Sequence, residues 1–129
     1  MTLPTDPAAF VADWLEAWNT HDLDRLLAHF DPAVVFTSPV AARVFPETGG
    51  VLGDRQALRR YWARGLELIP DLRFTVESHS VGVDAIVITY RNQLGAVVNE
   101  VLVFGASGTV VSGHGTYPQG ADNPAGVRD

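Results

Sequence analysis

Apolar residues recur at helical spacing in the first half of the chain and at strand spacing in the second. Phe10, Trp14 and Trp18 stand at i, i+4 and i+8, Val11 and Leu15 widen that stripe, and Asp13 and Glu16 fall off it. This pattern predicts an amphipathic helix. Asp6 is placed to cap it, with Pro7 at the first helical position, where a missing N–H costs nothing. Asn19, Thr20 and His21 interrupt the stripe. Asp22 then caps a second helix that buries Leu23, Leu26, Leu27 and Phe30 and stops before Pro32.

The period next changes to two over Val34 to Ser38, a short strand with Phe36 and Ser38 on one face and Val35 and Thr37 on the other. Residues 40–53 have no clear period and contain Pro46, Gly49, Gly50 and Gly53. They read as a loop, long enough to serve as a lid or a pocket rim. Asp54 caps a third helix reaching about Ile69. Leu58, Tyr61, Trp62, Gly65, Leu66 and Ile69 form its inner face, and Arg59, Arg60 and Arg64 face water.

After Pro70 the alternation is that of strands, over 72–81, 85–93, 96–105 and 109–117. The separators are short enough for an antiparallel meander. Residues 118–129 carry no apolar period and read as a loose tail beyond an ordered core of about 7–117. On the third of these strands both faces are apolar: Val98, Leu102 and Phe104 on one, Val97, Val101 and Val103 on the other. Three helices cover only one face. The second face is therefore expected to meet another copy of the chain, giving a homodimer through the outer face of the sheet; a closed barrel is the other solution.

Length and charge narrow the function classes. A chain of 129 residues forms one domain, 1–129, with a core of its own. Its formal charge of −6 and the lack of any basic run argue against nucleic-acid binding. With no cysteine, disulfides and thiolate catalysis are excluded. No long apolar run or leader-like start is present, so a cytoplasmic location and no membrane partner are expected. His29 and His79 have no partner at metal-ligand spacing, and no glycine-rich phosphate loop follows a strand. Neither a metal nor another cofactor is expected.

Two helices joined by WNTHDLDRLL, then DPAVVFTSP, a glycine-containing loop, a third helix and four strands together resemble the nuclear transport factor 2-like superfamily. The likeness is to its SnoaL-like and ketosteroid isomerase-like branch, and it spans about 10–117. It implies an α+β fold: a cone-shaped half-barrel with three N-terminal helices packed in the concave face of a curved antiparallel sheet. It also implies an internal apolar pocket for a small hydrophobic molecule. Ser38 stands where the isomerase pattern has its aspartate base, and Trp14 where it has its oxyanion-hole tyrosine. Glu100 aligns with the protonated acid of that hole.

The residues themselves support some of these roles. Glu100 shares a strand face with Val98, Leu102 and Phe104, where burial would raise its pKa, unless it pairs with Arg91 at an edge. His114 lies between glycines in SGHGTY and is a second acid/base candidate, if its strand face is the inner one. Trp14, Trp18, Phe36, Ser38, Tyr61, Tyr90, Phe104 and Tyr117 are the candidate substrate-binding residues. Two function classes follow. One is a cofactor-free isomerase, cyclase or dehydratase that uses Glu100 and His114. The other is a non-catalytic binder of a hydrophobic small molecule, or a dimeric scaffold.

Overall fold

The Asp6 carboxylate accepts a hydrogen bond from the Ala9 amide (3.1 Å) and opens α1 (Pro7–Asn19). This is seen in a computed structural model of the chain, which describes residues 2–128. Met1 and Asp129, the outer ends of the sequence's arm and tail, lie outside the described residues. Helix α1 buries Phe10, Val11, Trp14, Ala17 and Trp18 along one stripe, as its spacing predicts. The turn that follows places His21 at φ 56 with its ring on the Leu72 carbonyl oxygen (3.0 Å). Asp22 then caps α2 (Leu23–Leu27) through the Arg25 amide.

Helix α2 is shorter than its apolar spacing predicts. Phe30 begins β1 (Phe30–Thr37) instead of closing the helix, and it pairs in parallel with Val110. The Val110 amide donates to the His29 carbonyl oxygen (2.9 Å), so a ladder bond captures the chain, and Pro32 disfavours a helical Asp31 that would continue the turn. A single buried Phe at this position satisfies either period, and the tertiary pairing decides.

Residues 40–53 differ from the expected loop. Ser38 accepts from the Val40 amide (3.1 Å) and, with Pro39 in the first turn, opens α3 (Pro39–Val44). A single 3₁₀ turn follows over Pro46–Thr48, and left-handed Gly49 and Gly50 (φ 63 and 87) reverse the chain into β2 (Val51–Leu52). These pieces are each too short to show a period. Asp54 caps α4 (Arg55–Leu68) through the Ala57 amide (2.7 Å). Among the described residues there are thus four α-helices where the pattern shows three.

The meander is as expected: β3 (Thr75–Val81), β4 (Ala85–Arg91), β5 (Val97–Phe104) and β6 (Val110–Thr116) pair antiparallel in succession. Strand β1 joins β6 in parallel and β2 caps it, giving one open six-stranded sheet in the order β2-β1-β6-β5-β4-β3. The sheet curves around α1 and α4 as a half-barrel cone. Aromatic edges lock the helices to each other and to it: Trp18 on Trp62 at 5.0 Å between α1 and α4, Trp62 on Phe36 at 5.4 Å and Trp14 on Tyr90 at 5.3 Å against the sheet. On the convex face Val87, Val101 and Val103 remain partly exposed.

Residues 118–128 depart from the reading of a loose tail. Ala125 and Val127 are buried, and the Asn92 and Gln93 side-chain amides donate to the Pro124 and Ala125 carbonyl oxygens at 2.8 and 2.7 Å. The docking uses backbone carbonyls and two small apolar side chains, which leave no periodic signature. Among the described residues no helix is long and apolar enough to cross a membrane.

Candidate functional site

Strand β5 alternates cleanly, and the alternation sends Glu100 inward with Val98 and Leu102. Directly opposite stands Gly115 of β6, which supplies no side chain; the space it leaves is taken by the Glu100 carboxylate and by Ser38. Around them is a cavity of about 60 Å³, continuing into a mouth at the surface. Ser38, Tyr61, Tyr90, Glu100 and Tyr117 make its polar end, while Trp18, Phe36, Trp62 and Phe74 form aromatic walls.

Glu100 is 5% exposed and no arginine, lysine or histidine lines the cavity. Loss of hydration without a compensating cation pushes its pKa up to about 7, against a smaller opposing effect of a hydrogen bond from Tyr90. Arg91, the alternative partner considered from sequence, is engaged by Glu77 on the exposed side. Burial also raises the phenols of Tyr61, Tyr90 and Tyr117, so all three stay protonated donors near neutral pH. The Tyr61 hydroxyl lies 3.3 Å from Ser38 Oγ. The result is a carboxyl whose pKa is lifted by burial toward neutrality, beside neutral O–H groups in an aromatic pocket. Such a group can take or give a proton at neutral pH, and the hydroxyls can hold an oxygen that gains charge.

His114 is on the other face. With Gly113 and Gly115 turned inward, it points to the convex side, where Nδ1 meets Thr37 Oγ1 (2.7 Å) and Nε2 meets Ser112 Oγ (3.0 Å). The glycines do make room, but for Phe36 and Glu100 and not for a ligand at the histidine. Its candidacy as an acid or base in the cavity is therefore withdrawn.

Six of the eight candidate binding residues line the cavity: Trp18, Phe36, Ser38, Tyr61, Tyr90 and Tyr117. Trp14 and Phe104 do not. Trp14 is fully buried between Phe74 and Tyr90, and Phe104 packs on Phe10 at 5.1 Å. Both belong to the core below the cavity floor. Trp62, Phe74 and Ala125 are lining residues not chosen from sequence. Trp62 was legible on the inner face of its helix; Ala125 carried no signal. Asn92 braces the β4–β5 turn, its Oδ1 accepting from the Leu94 and Ala96 amides. No cluster of three or more metal-ligating side chains occurs among the described residues.

A family model described as SnoaL-like domain matches residues 11–117. No curated protein matches the chain in sequence. Among solved structures, a SnoaL-like protein of unknown function from Burkholderia thailandensis is 34% identical over 89% of this chain and 98% of its own, with a TM-score of 0.82. IdmH of Streptomyces antibioticus, a proposed polyketide cyclase, shares 20% identity over 86% of this chain and 91% of its own at a TM-score of 0.69. TerC, crystallised with polyporic acid, shares 11% over 86% and 90% at 0.71. The last two likenesses are of fold alone.

Proposed function

The chain belongs to the SnoaL-like domain family, and from that premise we propose that it is a cofactor-free enzyme acting by acid/base chemistry on a small, neutral, largely apolar molecule. The reaction class is isomerisation, cyclisation or dehydration. Glu100 is the proton carrier, and the neutral tyrosine hydroxyls hold the substrate oxygen. The observation behind this reading is a buried carboxyl with a pKa of about 7 at the polar end of an aromatic cavity. A charged ligand fits poorly, since no cation is there to receive an anion and the carboxyl's own burial disfavours more charge. Fold neighbours named for a polyketide cyclase and for a bound polyporic acid agree with a cyclic organic ligand.

In the simplest such step Glu100 takes a proton from carbon next to a carbonyl, the enolate oxygen is held by a tyrosine O–H, and the proton returns at the same or another carbon. Deuterium exchange next to the carbonyl of 2-tetralone, followed by NMR, tests it. The wild-type protein is expected to accelerate exchange, increasingly as pH rises through about 7, and Glu100→Gln to fall to the buffer rate. Equal rates for both proteins with 2-tetralone bound would favour the second reading, a non-catalytic binder. The missing aspartate at Ser38 favours that reading.

We also propose that the protein works in the cytoplasm as a homodimer through the convex face, where Val87, Val101 and Val103 give an apolar strip. Light scattering near twice the chain mass of 13.9 kDa is the expected result.

A further inference from the structure

We infer that residues 123–128 form a movable strap that sets the size of molecule able to reach Glu100. The inference rests on the cavity being the ligand site. At about 60 Å³ the cavity is smaller than the ~150 Å³ of an engineered apolar cavity that takes benzene, so a ring-bearing ligand needs one wall to yield. Most walls are side chains of α1, α4 and the sheet, fixed by the core. Ala125 differs in lying on the segment after the last strand, which has no helix or strand of its own and docks through backbone carbonyls and two small side chains.

The segment is built to move as a unit. Asn123, at φ 48, clasps it by accepting from the Val127 amide and donating to the Val127 carbonyl oxygen, both at 3.0 Å. It runs from the β4–β5 turn to the end of α4, with Ala125 on the cavity wall. On one side the Asn92 and Gln93 amides hold the Pro124 and Ala125 carbonyl oxygens; on the other the Arg128 amide donates to the Leu68 carbonyl oxygen (3.1 Å). An ion pair of Arg128 with Asp71 at 3.5 Å adds an exposed contact. Each of these polar groups can turn to water when the strap lifts, and the buried apolar side chains it exposes are the small Ala125 and Val127, so local opening costs less than global unfolding. Gly126 fixes the closed position. It has φ 71, and a β-carbon there would lie 3.0 Å from Leu94 Cδ1 and 3.1 Å from Gln93 Nε2. A β-branched side chain here is strained at this φ and must push aside Leu94 and Gln93, whose amide holds the Ala125 carbonyl oxygen.

Gly126→Val and a chain ending at Pro118 test the strap, with circular dichroism to verify that each variant folds. Trp18 and Trp62 line the cavity, so acrylamide quenching of tryptophan fluorescence reads the cover directly. An increase of about twofold in the quenching constant is expected for Gly126→Val, and an unchanged constant overturns the strap. The second readout is the association rate of phenol, 2-naphthol and 9-phenanthrol. The rate for 9-phenanthrol should rise about tenfold in the variants, and that for phenol, which needs the smallest opening of the three, by only about threefold. Equal changes for all three overturn the size limit. Should no phenol bind either protein, the cavity reading fails, and the quenching result still decides whether the strap opens.

Discussion

Gly115 faces Glu100 across the β5–β6 ladder, and a β-carbon built on Gly115 would lie 3.5 Å from Glu100 Oε1 and 3.6 Å from Ser38 Oγ. Those are ordinary contacts, so Gly115→Ala should fold with stability within about 0.5 kcal/mol of wild type. The added methyl excludes water from the carboxyl and moves the Glu100 pKa further up. Gly113, two residues earlier, is the control. A β-carbon there meets the rigid Phe36 ring at 2.6 Å, and Gly113→Ala should cost about 1–3 kcal/mol. Denaturant midpoints separate the two glycines, and a carboxyl NMR titration reads the shift.

Glu100 couples stability to pH with a definite sign. Its pKa is about 7 in the folded protein against 4.5 for an exposed glutamate, so the folded state holds the proton longer. Stability contributed by this group is complete below about 4.5 and is lost as pH rises through about 7. The loss is of order 3 kcal/mol, from the separation of the two pKa values. Glu100→Gln, which keeps the shape without the charge, should flatten this part of the profile. Urea midpoints of both proteins, measured either side of the window, check it; parallel profiles would mean that the carboxyl is hydrated.

His114 should be dispensable for the cavity. It reaches only Thr37 and Ser112 on the convex face, so His114→Ala is expected to leave 2-tetralone exchange unchanged and to cost about 1 kcal/mol of stability. A loss of exchange comparable to that of Glu100→Gln would reverse the assignment.

The contrast between Glu100 and His114 shows what was legible beforehand. Both lie on well-defined strands, but β5 has no glycine to permit a bulge, so Glu100 keeps the parity of Val98, Leu102 and Phe104; around His114 the flanking glycines and a register shift near Phe104 leave the face open to sequence reasoning. Trp14 and Trp18 differ for a related reason. They share one helical stripe, and whether a stripe residue meets the cavity or the core depends on the sheet above it. The helices and the meander were readable because their periods run for several turns or pairs. Helix α3, the brief β2 and the docked strap were not. Their contacts are caps, carbonyls and single small side chains, and none produces a period.

Asp13 joins the first two helices. Its carboxylate accepts from Arg25, through Nε at 2.8 Å and also Nη2, and lies 2.6 Å from His29 Nε2. The His29 hydrogen bond, followed by that of Arg25, holds the Asp13 pKa below its ordinary 3.8. For a lowered carboxyl the contribution is present above about 3.8 and disappears as pH falls through the folded value. Because the group is partly exposed, Asp13→Asn should cost no more than about 1 kcal/mol at neutral pH, and nothing in strong acid. Melting temperatures of the two proteins that converge on acidification are the expected result.

Tyr90 tunes Glu100. Its phenol is buried and protonated, and its hydrogen bond favours the carboxylate, partly offsetting the desolvation that raises the acid. Tyr90→Phe removes that donor while keeping the ring on Trp14 and Phe74, so the Glu100 pKa should rise further. The pH–rate profile for exchange would then move to higher pH by the same amount, with less carboxylate present at neutrality but a stronger base. Tyr61→Phe is the comparison. Tyr61 contacts Ser38 instead of donating to the carboxyl, so its removal should weaken oxygen binding and leave the midpoint in place. A midpoint that moves equally in both variants would show that general cavity polarity, and not the Tyr90 hydrogen bond, sets the proton affinity of Glu100.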